Sequence, residues 1–443
     1  MIQKYVGNFT IRARVKAFLL FPWLVILLFG LNQAHKESAV IAHSQEVIVL
    51  LNYANTIEKL IHGLQQERSL TSYSLLKKSE NTVSELLTQR ALTDSELKRF
   101  INMTDELRHK GSFEQETHNG AMALIYLSKD KLIVNREFAD EQNVVQIKNF
   151  YAEFIGQLIQ LSAQMQVDLN TQDKSRYHTD YINLLRLKEK ASVEQVALLE
   201  VLHVKSISIA QLHEVISLAK SQDKLIAELF DLSLLPHQRW LKKKLSFPVN
   251  EQVKAVRALL EERVTRQELI NALEEQLGYD GLIHHFKNYL LRGEQTYLIK
   301  FKQRYQLSKQ YISRLQQLSH LSDEEKRLIT QIQQTFSLYD HHLATVILMK
   351  SQKQNVEYID EVVKIDDAIA MIAIKTLQNN DLEIDAHHWR SISEQRMALF
   401  RVISDHIAKE VKIMAMQEQK HVIKVLFLYG AIFRSEEHTS ELQ

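Results

Sequence analysis

The chain has 443 residues, a formal net charge of +1 at pH 7 and a quarter of its residues charged, so no global field points to nucleic acid or another polyanion. It holds no cysteine, which excludes disulfides, thiolate metal sites and cysteine nucleophiles. Ten glycines and three prolines fall far below the ordinary ~7% and ~5%, and a chain so poor in turn-makers is expected to be all-α, with long helices and few loops.

In chain order, Lys4, Arg12, Arg14 and Lys16 precede an uncharged stretch of 18 residues, 17–34 (AFLLFPWLVILLFGLNQA). That length reaches the lower end of the ~17–25 residues a membrane-spanning helix needs. Four cations and no acid ahead of it place residues 1–16 in the cytoplasm by the positive-inside rule. No small-x-small site closes the apolar run, so it reads as a retained anchor rather than a cleaved leader. The chain beyond Ala34 is then expected outside the inner membrane.

Residues 36–421 carry helical periodicity almost throughout, and no window supports a sheet. Ile57, Ile61, Leu64, Arg68, Ser72 and Leu75 form one stripe; Ile392, Leu399, Ile403, Ile407, Val411 and Met414 form another near the end. Arg68 interrupts an apolar stripe, and a buried guanidinium needs a partner, either an anionic ligand or a carboxylate of the chain such as Glu194. Glu194 lies on a similar stripe with Leu187, Ala191, Leu198 and Leu202. Breakers cluster at residues 109–120 and again around Pro236 and Pro248. The second cluster, 236–250, is the expected linker between a first helical domain, 35–235, and a second helical region, 251–421. A helix leaving one membrane anchor and another returning to a second implies up-and-down bundles standing on the membrane.

From Val422 the sequence turns apolar again, VIKVLFLYGAIF, but residues 422–433 are too few to cross a bilayer. The last ten residues, RSEEHTSELQ (434–443), resemble a common short-read sequencing adapter translated in frame, codon for codon. The expectation is a second membrane helix cut off in mid-span, with any output domain beyond it.

LIHGLQQERSLTSYSL, with Gln65, Glu67 and Arg68, resembles the opening helix of the nitrate- and nitrite-sensing (NIT) family, typically Gln-x-Glu-Arg-Gly; Ser69 stands at the glycine. QRALTDSELKRF (89–100), FYAEFIGQLIQL (150–161) and AKSQDKLIAELF (219–230) also fit. LLRLKEKASVEQVAL (184–198) resembles the family's Lys-Glu-x-Ala-Gly-x-Glu-Arg-Ala segment: Lys188, Glu189, Ala191 and Glu194 match, while Ser192 replaces the glycine and Gln195 the arginine. The likeness covers about residues 45–232. It implies up-and-down helical bundles whose inward arginines grip a small anion, with Arg68 as the matching arginine and Gln65, Glu194 and Gln195 beside it. Loss of an arginine at Gln195 removes one charge-assisted fork and leaves open a ligand other than nitrate.

LGYDGLIHHFKNYLLRG (277–293) resembles a segment of bacterial periplasmic sensor regions, and EYIDEVVKIDDAIAMIAI (357–374) one that accompanies it. His284, Asn288 and Arg292 fall at i, i+4 and i+8, with Lys287 beside them. These donors suit a carboxylate or other anion, or else an internal network closed by Asp366 and Asp367. The adjacent histidine pairs 284/285, 341/342 and 387/388 point ~100° apart on a helix, so neither metal nor any other cofactor is expected. No glycine-flanked nucleophile and no phosphate loop is present, so no enzyme is expected either. Together these features suggest the periplasmic sensing portion of a two-pass bacterial inner-membrane receptor: a chemoreceptor, histidine kinase or diguanylate cyclase. Its expected partners are a small anion such as nitrate, nitrite or a carboxylate, the membrane, and a second copy of itself. The alternative is a ligand-free helical scaffold.

Overall fold

The computed structural model describes the backbone of residues 11–110, 115–140, 144–165, 172–203, 208–232, 235–378 and 384–440. Among the described residues every regular element is an α-helix, and none is a strand. Fourteen helices follow one another along these described stretches: α1 Ile11–Leu76, α2 Glu80–Lys110, α3 Gln115–Asp140, α4 Val144–Gln164, α5 Gln172–His203, α6 Ile209–Leu232, α7 Leu235–Leu245, α8 Pro248–Leu277, α9 Leu282–Arg292, α10 Gln295–Gln316, α11 Asp323–Ser351, α12 Val356–Val362, α13 Ala368–Gln378 and α14 Ala386–Ser440. The stretch 236–250, expected as a linker, is helical through Leu245, and Pro248 opens the next helix.

Among the described residues, no helix is long and apolar enough to cross a membrane. Much of 17–34, and all of 426–433 and the tail to 443, lies outside the residues whose side chains are described.

The chain divides into two compact units made of non-contiguous segments. Unit 1 comprises residues 1–189, 225–241 and 399–443. In it α1 packs on α2 and α4, and α3 on α4. The apolar stripe of α1 is the spine of the core: Tyr53, Ile57, Leu60, Ile61 and Leu64 are fully buried, together with Phe100 of α2 and Phe154 and Leu158 of α4. Tyr53 stacks on Phe100 and bonds Thr104 on α2 at 2.8 Å. Thr93 Oγ1 and Gln89 Nε2 of α2 both donate to the Gly63 carbonyl of α1 at 3.2 Å.

Unit 2 comprises residues 190–224 and 242–398. Its core brings together Ile270, Leu273 and Leu277 of α8, Phe286 and Leu290 of α9, Phe301 and Leu315 of α10, Ile332 and Phe336 of α11, Ile359 of α12 and Ile374 of α13. Local signals set the helix ends. Pro248 stands in the first turn of α8, where no N–H is needed. Ser322 and Glu325 form a reciprocal capping box at α11 (3.1 and 2.8 Å), and Glu325 also pairs with Arg266 of α8. Gly293 ends α9 at φ +74°, where a β-carbon would meet Lys350 Cε at 3.1 Å.

Candidate functional site

The QQERS segment of α1 sends Gln65, Glu67, Arg68 and Ser69 into the interior of unit 1. Arg68, 3% exposed, forks onto Glu189 of α5 with Nη1–Oε1 at 2.6 Å and Nη2–Oε2 at 3.1 Å. Gln65 Nε2 donates to the same carboxylate at 3.0 Å, and its own Oε1 is buried without a hydrogen-bond partner. The carboxylate facing Arg68 is therefore Glu189, one helical turn beyond the buried Leu185 of α5, and not Glu194. The apolar stripe along α5 marks Glu194 as inward and passes over Glu189. Glu194 and Gln195 belong instead to unit 2.

Glu67, wholly buried, takes Arg136 of α3 (Nε–Oε1 2.6 Å, Nη2–Oε2 2.9 Å) and the Tyr151 hydroxyl of α4 (2.8 Å), while Arg136 also reaches Asp94 of α2 at 2.8 Å. Burial, then the Glu67 carboxylate, push the Tyr151 phenol well up, so it stays a donor. Toward the start of α1, Lys188 of α5 pairs with Glu58 at 2.7 Å, both buried, and Tyr181 donates to the Ala54 carbonyl at 3.2 Å. His62 lies beside them. Burial and the cations Lys188 and Arg401 hold it down at about 4, against the opposing pull of Glu58.

Unit 2 has its own buried polar cluster around Glu194. Arg257 of α8 forks onto that carboxylate at 2.7 and 2.8 Å, Gln222 Nε2 donates to it at 2.9 Å, and Arg396 of α14 approaches it at 3.4 Å. Arg396 also donates to Gln222 Oε1 at 2.8 Å and to Asn250 Oδ1 at 3.1 Å. Two guanidinium groups thus share one fully buried carboxylate; Asp223, which also meets Arg257, is 66% exposed. Burial, then repulsion from Arg257, lower Arg396 to about 10. Gln195 is buried too, its Nε2 has no hydrogen-bond partner, and its carbonyl accepts from Trp389 Nε1 at 3.1 Å. Sequence reasoning missed Arg257 and Arg396, yet the signal that marked Arg68 was present. Arg396 interrupts the stripe Ile392, Leu399, Ile403, and Arg257 lies between Val253 and Leu260 at the same spacing.

The 284–292 face does not converge. Lys287 pairs with Asp360, Asn288 Nδ2 donates to the His284 carbonyl at 2.9 Å, and Arg292 donates to the Tyr297 hydroxyl at 2.9 Å. Asp366 and Asp367 do not close this network. Asp366 accepts the Ala368 N–H at the start of α13 (3.1 Å), and Asp367 accepts from Tyr339 at 3.3 Å. The break after Val362 separates α12 from α13 and turns those carboxylates to other partners.

These features define an all-α protein that buries several ion pairs among its helices. The sequence model of the NIT family, described as nitrate and nitrite sensing, matches residues 59–318, and the chain belongs to that family. The match reaches past the 45–232 likeness and takes in the 277–293 segment. Among solved structures, that of the NasR transcription antiterminator is similar at 12% identity and a TM-score of 0.44, over 93% of this chain and 99% of that one. No curated protein matches.

Proposed function

We propose that the chain is the sensing portion of a membrane-anchored bacterial receptor whose signal is a small oxyanion, nitrate or nitrite. The observation that carries this reading is the pair of buried arginines at Glu194. Arg257 and Arg396 converge on one buried carboxylate, and the exposed Asp223 offsets little. A planar monovalent oxyanion matches the guanidinium fork in shape and charge. In this reading Arg396 supplies the charge missing at Gln195. The chain binds and transmits, and catalyses nothing itself.

The anchor is supported by residues 17–34. Phe21, Leu28, Phe29 and Leu31 are 57–66% exposed, apolar side chains that a bilayer would cover. Thermal unfolding at constant ionic strength, with nitrate or nitrite replacing chloride, tests the sensing. A hundredfold excess over Kd adds ~2.7 kcal/mol. We expect that stabilisation in the natural chain and its loss in Arg396→Gln. No stabilisation by any anion would overturn the reading and leave a ligand-free scaffold.

A further inference from the structure

The turn between α8 and α9 gathers three groups of metal-ligating type. Asp280, at φ +56°, sits between Gly278 and Gly281, and α9 opens just after it with His284 and His285 in its first turns. One ligand atom from each of Asp280, His284 and His285 lies within 4.8 Å of the others. His285 Nε2 and Asp280 Oδ1 are 3.4 Å apart. That is long for a hydrogen bond, but it equals the ~3.4 Å edge of a tetrahedron with ~2.1 Å metal–ligand bonds.

We propose that Asp280, His284 and His285 form a binding site for a divalent cation of the zinc class. Two imidazoles and one carboxylate are the borderline donor set such ions take, with a fourth position left for water. The His285 ring is 1% exposed and its Nδ1 has no hydrogen-bond partner, so a buried imidazole sits here with only a loose approach to Asp280. His284 is half-buried, with a ring nitrogen within 4.8 Å of the ligand atoms of Asp280 and His285. Arg304 lies 3.4 Å from the other oxygen of Asp280 and donates to Gln276 Oε1 at 3.2 Å, so it orients the carboxylate from outside the ligand set. Arg304 and the positive end of α9 both work against a cation. They set the expectation at weaker binding than that of closed structural zinc sites.

Sequence spacing hid the site, because adjacent histidines on a helix diverge. The left-handed residue before the helix brings the carboxylate back beside them.

The test is titration of the full chain with cobalt(II), read by visible absorption, and with zinc, read by thermal unfolding. The natural chain is expected to take up one cobalt with the bands of a tetrahedral centre and to gain stability from zinc. His284→Ala changes a partly exposed side chain. Asp280→Gly removes the carboxylate while relieving the positive φ, so it keeps the fold. Each is expected to weaken cobalt binding at least tenfold, as even outer-shell changes cost about 10–100-fold. Absence of cobalt bands in the natural chain, or equal binding by both variants, would overturn the proposal.

Discussion

Glu67 has no exposure to solvent, and its carboxylate is met by a guanidinium and a phenol. Removing one partner of a buried pair leaves the other uncompensated, at a cost of about 3–5 kcal/mol. Glu67→Gln is therefore expected to lower stability by about 3 kcal/mol in denaturant titration, whereas Asp94→Asn, at the exposed end of the same network, costs under about 1 kcal/mol. His62 makes a second prediction. Its folded pKa of about 4 lies below the ordinary value of 6.5. The unfolded chain therefore binds the proton first, and stability is lost as pH falls from about 6.5 toward 4. By pH 5 the loss from this group alone is about 2 kcal/mol. The difference between the natural chain and His62→Asn, followed from pH 7 to pH 5, isolates it; parallel curves would refute the assignment.

Among elements, the long helices were legible because their apolar stripes run at helical spacing through α1, α5 and α14. The short pieces α12 and α13 were not, since seven and eleven residues carry too few turns to show a period. Arg68 was legible as an inward charge, but Glu189 as its partner was not. Both Glu189 and Glu194 lie on α5, and only packing decides which one meets α1. Helix ends and interiors are testable as well. Ser322→Ala removes the capping box of α11 and should cost about 1 kcal/mol. Gly156, inside α4, has nothing within 4 Å of an added β-carbon. Gly156→Ala should therefore raise stability by about 1 kcal/mol. Paired thermal melts of the two variants check both signs.

For the whole molecule, composition alone implied the helical class, because so few glycines and prolines leave little else. The division into two units was less legible: each draws on separated stretches of chain, and no local signal announces that. Expressed in a bacterium, the full chain is expected to stay with the membrane pellet through alkaline extraction, and a variant lacking residues 1–34 to leave it. Release of the full chain would refute the anchor.

The Glu67–Arg136 knot has a mechanical consequence. Through Glu67, Asp94, Arg136 and Tyr151 it ties α1, α2, α3 and α4 at one level, with contacts of 2.6–2.9 Å. A slip of α1 by a full turn, ~5.4 Å along its axis, would break all three contacts that Glu67 makes to α3 and α4. The first helix is thus riveted into its bundle rather than free to run through it like a rod in a sleeve. Any stroke that α1 delivers must be carried by all four helices as one body.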